Sequence, residues 1–413
     1  GIKRWMYVLL VKYQKVGVDD DDDEGVTPQR MMGDDRDDDC AAADCARTLT
    51  EAEHEVYDRQ IRVWGVETQS KLSQARVLVA LGRIGDDERL TTSAAAFAAA
   101  RGLGAETLKN IALAGCGKIV VRDDGVGREG GCGGLASERR GKDGNFLNAA
   151  GEDDEDGSAE TVAEAMARTL REMNPFGDVS AAESSNGSVC EESAEYYSRF
   201  DVVVACGYTF AQCEAMGAKC REVGCGFFGA FHGAAACYFF ADLGEAHEYV
   251  PVGVSSKDGK GGGGGGGGAG SAPSVARFAS LTDVFERCGA DWGKATRRTP
   301  RTPLAATLVR AFEREHGRIP EEADAEAFVA LSKTFAERHG AKPDCVPEDA
   351  LRVVLAPSFE SPAINAIVGG VLAQEVLKAV TRKGAPCGNF FIFDAVSGQG
   401  VCHNLGDAGD ERR

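Results

Sequence analysis

Short apolar, β-branched runs alternate with helical segments along most of this chain, and that alternation constrains its fold more than any other feature. Arg76–Leu81 (RVLVAL) reads as a buried strand. AETLKNIALAG sets Leu108, Ile111 and Ala112 at helical spacing before Gly115, and KIVVRDD returns to strand, which completes a βαβ unit. Farther on, ETVAEAMARTLREM reads as a helix stopped at Asn174–Pro175, FDVVVACG as a buried strand and QCEAMGAKCREV as a helix. GFFGAF and CYFFADLG read as two more strands. Strands apolar on both faces need helices on both faces, so the expected class is α/β with a mostly parallel sheet.

The pattern then changes. Residues 253–274 hold eight consecutive glycines, Gly261–Gly268, and read as a flexible linker, because such a run fixes its backbone only at a large entropy cost. Residues 275–355 carry three helical segments, LTDVFERC, PLAATLVRAFEREHG and AEAFVALSKTFAERHG, and read as a small helical lobe. Residues 356–406 bring an apolar helix, AINAIVGGVLAQEVLKAV, then FFIFDAV and GVCHNLG as a closing antiparallel hairpin, with 407–413 as a tail. Glycine inside a helix costs about 1 kcal/mol relative to alanine, so Gly369 and Gly370 predict close packing of another element there.

Charge and cysteine usage narrow the function classes. Lys and Arg number 46 against 65 Asp and Glu, a net charge of −19, which excludes a general nucleic-acid binder needing a basic face. Between Asp19 and Asp39, eleven acids and two arginines contribute −9, so residues 1–48 read as a disordered acidic leader. The N-terminal apolar stretch in GIKRWMYVLLVKY is too short to span a bilayer, and no membrane association is expected. The 14 cysteines contain no CxxC pair, which argues against zinc knuckles, and several sit in apolar runs as free thiols of a reducing compartment.

Two segments carry candidate chemistry. The first is RGLGAE, read as a Gly-rich turn that follows strand 76–81. Such a turn brings backbone N–H groups and a helix N-terminus to a phosphate, with an acid about 20 positions on for a ribose; Gly102, Gly104 and Asp123 fit that spacing. The third glycine of a full fingerprint is missing, which disfavours a dinucleotide-binding oxidoreductase. Between strand and turn stand nineteen residues, Gly82–Ala100, where two to six are usual, so 82–100 reads as an odd insertion, foreign to the coding sequence or a surface loop. The second segment is YDRQIRVWG, Tyr57–Gly65, a short helix ahead of the first strand with Arg59 and Arg62 three apart on one face.

YDRQIRVWGVETQSKLSQARVLV resembles the opening of the ubiquitin-like-modifier activating enzymes, which share a Rossmann-like, ThiF/MoeB-type adenylation fold. FFGAFHGAAACYFFADLG, and SPAINAIVGGVLAQEVLKAV followed by NFFIFDAVSGQGVCHNLG, resemble that family's later strands and closing helix and hairpin. Trp292 in CGADW and FEREHGRIP fit the small subunit of the SUMO-activating heterodimer in particular. The likeness covers about Leu49 to Gly406 and implies a ThiF-type domain from 49–252 and 356–406.

The resemblance also implies a division of labour. Thr161 and Val162 precede Ala163–Glu164–Ala165 where the family places basic or amide residues toward the triphosphate, and no cysteine is followed by Thr and a nearby Pro. The chain is therefore expected to lack a working nucleotide site and a thioester-forming cysteine, with ATP and Mg held by a large partner subunit, SUMO as the modifier, and a nuclear location. Arg59 is the expected arginine finger acting in trans; Tyr57, Gln60 and Arg62 hold its helix; Gly102, Gly104 and Asp123 are a vestigial nucleotide site, and no metal is expected. The equivalent subunit for a Rub/Nedd-type modifier and a catalytically silent scaffold remain as alternatives.

Overall fold

In the computed structural model, residues 47–82, 93–124, 161–182, 188–232, 236–252, 272–296, 299–355 and 361–406 are described, 93–100 by backbone alone. The acidic run, the glycine run and the tail from 407 lie outside them. By contacts the chain divides into Gly1–Cys45 with Val252–Ser271, and Ala46–Pro251 with Ala272–Arg413. Every element below belongs to the second unit.

The elements in chain order are α1 (Glu51–Trp64), α2 (Val66–Leu72), β1 (Arg76–Leu81), α3 (Ser93–Leu113), β2 (Lys118–Asp123), α4 (Val162–Met173), β3 (Asp178–Ala181), α5 (Ala194–Tyr197), β4 (Val202–Cys206), α6 (Phe210–Glu222), β5 (Gly226–His232) and β6 (Ala236–Asp242). A two-stranded ribbon follows, β7 (His247–Tyr249) with β8 (Ser274–Ala276). Then come α7 (Leu281–Gly293), α8 (Arg301–His316), α9 (Ala325–Arg338), α10 (Glu348–Leu355), α11 (Pro362–Thr381), β9 (Phe390–Asp394) and β10 (Gln399–His403). Eight strands form one sheet in the order β10-β9-β6-β5-β4-β1-β2-β3. β3, β2, β1, β4 and β5 run parallel, while β6, β9 and β10 add antiparallel pairs, so the expected mostly parallel α/β sheet with a closing hairpin is what forms.

The alternation of strand side chains builds two cores. Leu78, Ala80, Val203, Ala205, Phe227 and Phe231 face α6 and the helices α7 to α10; Val77, Val79, Leu81, Val204, Cys206 and Phe228 face α3, α4 and α11. Each fully buried Val, Leu or Phe among them contributes about 1.5–3 kcal/mol by leaving water. The helical lobe thus shares one core with the sheet face that α6 covers. α11 has the length and hydropathy of a bilayer span, but Val368, Leu372 and Val376 are buried in the second core. Gly369 explains the close packing expected there: a Cβ on it would lie 2.7 Å from Glu106 Cβ of α3, whereas Gly370 faces open space.

The turn expected at RGLGAE is instead the middle of a helix. α3 begins at Ser93 and runs through SAAAFAAA and on to Leu113 without a break. Alanine is the strongest helix former and elongation adds a hydrogen bond per residue fixed, so the alanine run carries the helix back past Gly102 and Gly104. Residues 83–92 of the odd segment lie outside the described set.

Two buried histidines give this core a pH dependence. Burial pushes His232 and His247 down to about 4; the Asn365 side chain partly offsets this at His232, and Arg382 adds to it at His247. The His247 Nε2 has no hydrogen-bond partner among the described residues, which fits a neutral ring. The folded state therefore holds both neutral, whereas the unfolded chain takes up protons near 6.5. Their contribution is complete above pH 6.5 and is lost as pH falls toward about 4. The urea midpoint is expected to fall between pH 7 and pH 5, and His247→Gln to flatten that slope; equal slopes for both proteins would reject the assignment.

Candidate functional site

The strand order 3-2-1-4-5 reverses between β1 and β4, and the carboxyl ends of those strands are where an open α/β sheet takes a ligand. At those strand ends the described residues pack closely on one another. Gly82 follows β1, and its N–H donates to the Cys206 carbonyl at 2.8 Å. A Cβ on Gly82 would lie 2.6 Å from the Gly207 oxygen and 2.7 Å from the ring of Tyr208. The buried Tyr208 ring thus covers the glycine where a nucleotide would approach.

The acids at the end of β2 are engaged as well. Asp123, where the ribose acid was expected, pairs with Arg101 of α3 at 2.6 Å, and both side chains are buried. Asp124 accepts from Arg122 Nε at 2.9 Å, Ser188 Oγ at 2.8 Å, the Val189 N–H at 2.6 Å and the Tyr208 hydroxyl at 2.9 Å. Arg122 also pairs with Glu192 at 2.7 Å, and these acids hold its charge more firmly despite its burial. Gly104 serves packing: its absent Cβ would lie 2.3 Å from Leu81 Cδ2, so the glycine lets α3 seat on β1. Gly102, one turn-half earlier in the same helix, presents no strand–helix turn. Thr161, where a basic residue was sought, is the N-cap of α4; it accepts from the Glu164 N–H at 3.2 Å, and Glu164 accepts the Thr161 N–H at 2.7 Å. Each of these described residues is thus engaged within the chain.

The YDRQ helix has the opposite character. Thr50 and Glu53 form a reciprocal cap at the start of α1, and Arg47 pairs with Glu53 at 3.0 Å. One face of α1 is tied down. The Tyr57 hydroxyl accepts from Asn174 Nδ2 at 2.8 Å, and that same amide donates to the Ala112 carbonyl. Gln60 Nε2 donates to the Leu113 carbonyl at 3.1 Å, and Trp64 Nε1 donates to Gln69 Oε1 at 3.0 Å. Gly115, at φ +91°, has no room for a side chain, because a Cβ would lie 2.5 Å from Gln69 Nε2 and 2.8 Å from the Tyr57 ring. Tyr57 and Gln60 thus do hold the helix. Among the described residues, Arg62 makes only an exposed pair with Asp58 one turn away.

Arg59 lies on the opposite face, exposed, and no hydrogen bond or ion pair engages it among the described residues. Val56 and Val63, one turn before and after it, are also exposed, at 60% and 55%. The structure brings Gly104 and Asp123 to the crevice and leaves Arg59 on a separate, open surface. Sequence reasoning missed Tyr208, Asp124, Arg101 and Arg122. The adjacent charges in RDD and the arginine before GLG were visible signals, whereas the position of Tyr208 follows only from β4 lying beside β1.

No family model matches the chain. Curated relatives do, over nearly their whole length. SUMO-activating enzyme subunit 1B-1 of Arabidopsis thaliana is 29% identical over 362 residues, covering 86% of this chain and 97% of that protein. SUMO-activating enzyme subunit 1A of the same plant is 28% identical over 365 residues, covering 87% and 98%. SUMO-activating enzyme subunit 1 of Homo sapiens is 27% identical over 378 residues, covering 87% and 96%. The mostly parallel sheet, the closing hairpin and the motif helix are all in place, and the comparisons support the family of SUMO-activating enzyme small subunits for this chain.

Proposed function

We propose that this chain is the subunit of a heterodimeric SUMO-activating enzyme that forms no thioester itself and supports adenylation of the modifier in the partner's site through Arg59. The observation that carries this reading is the state of Arg59: a forked cation with no partner among the described residues, presented by a helix whose other face is pinned through Tyr57, Gln60 and Trp64. Such a guanidinium is available to phosphate oxygens across an interface. There it stabilises charge that builds as the C-terminal carboxylate of the modifier attacks the α-phosphate and pyrophosphate departs. The close packing of Tyr208 on Gly82 supports the companion statement that ATP and Mg are held by the large subunit. Six of the described cysteines that are buried in the two cores, Cys116, Cys206, Cys213, Cys220, Cys237 and Cys288, have thiols pushed up chiefly by burial or, at Cys220, by a neighbouring thiol. That favours a transfer thiol on the partner. A nuclear location is part of the same proposal.

The test is reconstitution. Co-expression with the large subunit of a SUMO-activating enzyme is expected to yield a stable complex that forms a SUMO thioester only with ATP and only when this chain is present. Thioester formation at the same rate without this chain would overturn the proposal, as would failure of the two chains to co-purify.

A further inference from the structure

The C-terminus of α3 is met by three side-chain amides. The carbonyls of Ala112, Leu113 and Ala114 accept from Asn174 Nδ2, from Gln60 Nε2 at 3.1 Å and from Gln69 Nε2 at 2.9 Å, which serves carbonyls that a helix end leaves without intrahelical donors. Gln60 belongs to α1 and Gln69 to α2, whereas Asn174 arrives as the C-cap of α4. Two of the three also grip α1. Gln69 accepts from Trp64, its last residue, at 3.0 Å, and Asn174 Nδ2 donates to the hydroxyl of Tyr57, near its midpoint, at 2.8 Å.

The run Asn174–Pro175–Phe176 builds this second grip locally. Proline disfavours helical backbone in the residue before it, so α4 stops and Asn174 is extended, at φ −144° and ψ 100°. The Phe176 N–H donates back to Asn174 Oδ1 at 3.1 Å, and the Phe176 ring meets the Tyr57 ring edge-on with centroids 6.1 Å apart. Asn174 is 4% exposed and Tyr57 2%, so water does not compete for these bonds. Both amide donors are spent on Tyr57 and Ala112, while Oδ1 holds its own turn. Aspartate has no such donors, and glutamine sets its amide one methylene farther out.

We infer that Asn174 is a positioning residue for the adenylation proposed above, acting through Tyr57 on Arg59; the inference rests on that reading of Arg59. Arg59 follows Tyr57 by two residues, about 200° round the helix, so Tyr57 is the grip that lies most nearly across α1 from it. With that grip lost, α1 keeps its N-terminal cap and its bonds to Leu113 and Gln69. It stays folded and attached, but its roll about its own axis is less constrained. A roll that displaces the guanidinium by about 1 Å costs up to about a hundredfold in rate. Because the charge that Arg59 meets develops in the transition state, the loss falls on kcat and not on the KM for ATP.

The experiment measures ATP–pyrophosphate exchange on the purified heterodimer for Asn174→Ala, Tyr57→Phe and Arg59→Ala, and for each of the first two combined with the third. Asn174→Ala is expected to lower kcat about tenfold and Tyr57→Phe about threefold, with the KM for ATP within about twofold of wild type. Neither should lower the rate further in the Arg59→Ala background, since residues that act through one group are not additive. A residue that only keeps the complex folded would lower the rate by the same factor in both backgrounds, and that result would overturn the inference. Wild-type exchange in Asn174→Ala with Arg59→Ala slow would overturn it and leave the role of Arg59 standing, whereas wild-type exchange in Arg59→Ala would remove both. Tyr57→Phe keeps its ring against Phe176 and carries the same comparison if Asn174→Ala does not assemble. Failure of both variants to assemble would make the pair structural and overturn the inference.

Discussion

Arg59→Ala is expected to leave heterodimer assembly intact and to lower ATP–pyrophosphate exchange about a hundredfold or more, the usual consequence of deleting one donor aimed at developing charge. Assembly survives because the helix is held from its other face by Tyr57, Gln60 and Trp64, none of which touches Arg59. Arg59→Lys should recover only part of the rate, since lysine restores the charge without the two-pronged donor geometry. Arg62→Ala is the internal control: its one partner among the described residues is Asp58, exposed and one turn away, and its loss should change exchange little. Exchange at the wild-type rate in Arg59→Ala would remove the arginine from the reaction, whatever the complex does otherwise.

The largest stability effect is expected at Asp124. Its carboxylate satisfies Arg122, the Ser188 hydroxyl, the Val189 N–H and the buried Tyr208 hydroxyl together. Asp124→Ala leaves those donors facing a low-dielectric interior, and breaking a buried pair in this way costs about 3–5 kcal/mol. Tyr208→Phe removes one of the four bonds and should cost about 1 kcal/mol. Urea denaturation of the three proteins gives the comparison directly. A midpoint for Asp124→Ala indistinguishable from wild type would mean that these bonds contribute nothing to folding.

The same region shows how far the sequence could be read. The strands at 76–81, 118–123 and 202–206 were legible because each is a short β-branched run bounded by polar or glycine residues, and the structure has them at those positions. Helices α4 and α6 were legible from their segments ETVAEAMARTLREM and QCEAMGAKCREV, and the structure adds the capping residues Thr161 and Thr209 at their starts. RGLGAE was misread because a glycine pair after a strand is the local signature of a phosphate turn, and local signature was all that was available. The alanine run directly ahead of it, ending at Ala98–Ala100, carries those residues into a helix.

For the candidate site the division is sharper. YDRQ could be recognised, and the missing basic residue before Ala163 could be noted, from residue identity alone. Which of the four YDRQ side chains is free could not, because it depends on Asn174 and Leu113 arriving from 117 and 53 positions away to claim Tyr57 and Gln60.

By itself, then, the sequence determined the class of fold, the family likeness and the absence of a complete nucleotide fingerprint, since these rest on periodicity and on short contiguous motifs. Only the tertiary structure decided that Tyr208 packs on Gly82, that Asp123 and Asp124 are engaged within the chain, and that Arg59 faces outward. The physical reason is that burial and hydrogen-bond pairing are set by parallel strands β1, β2 and β4, brought side by side across more than a hundred residues of chain.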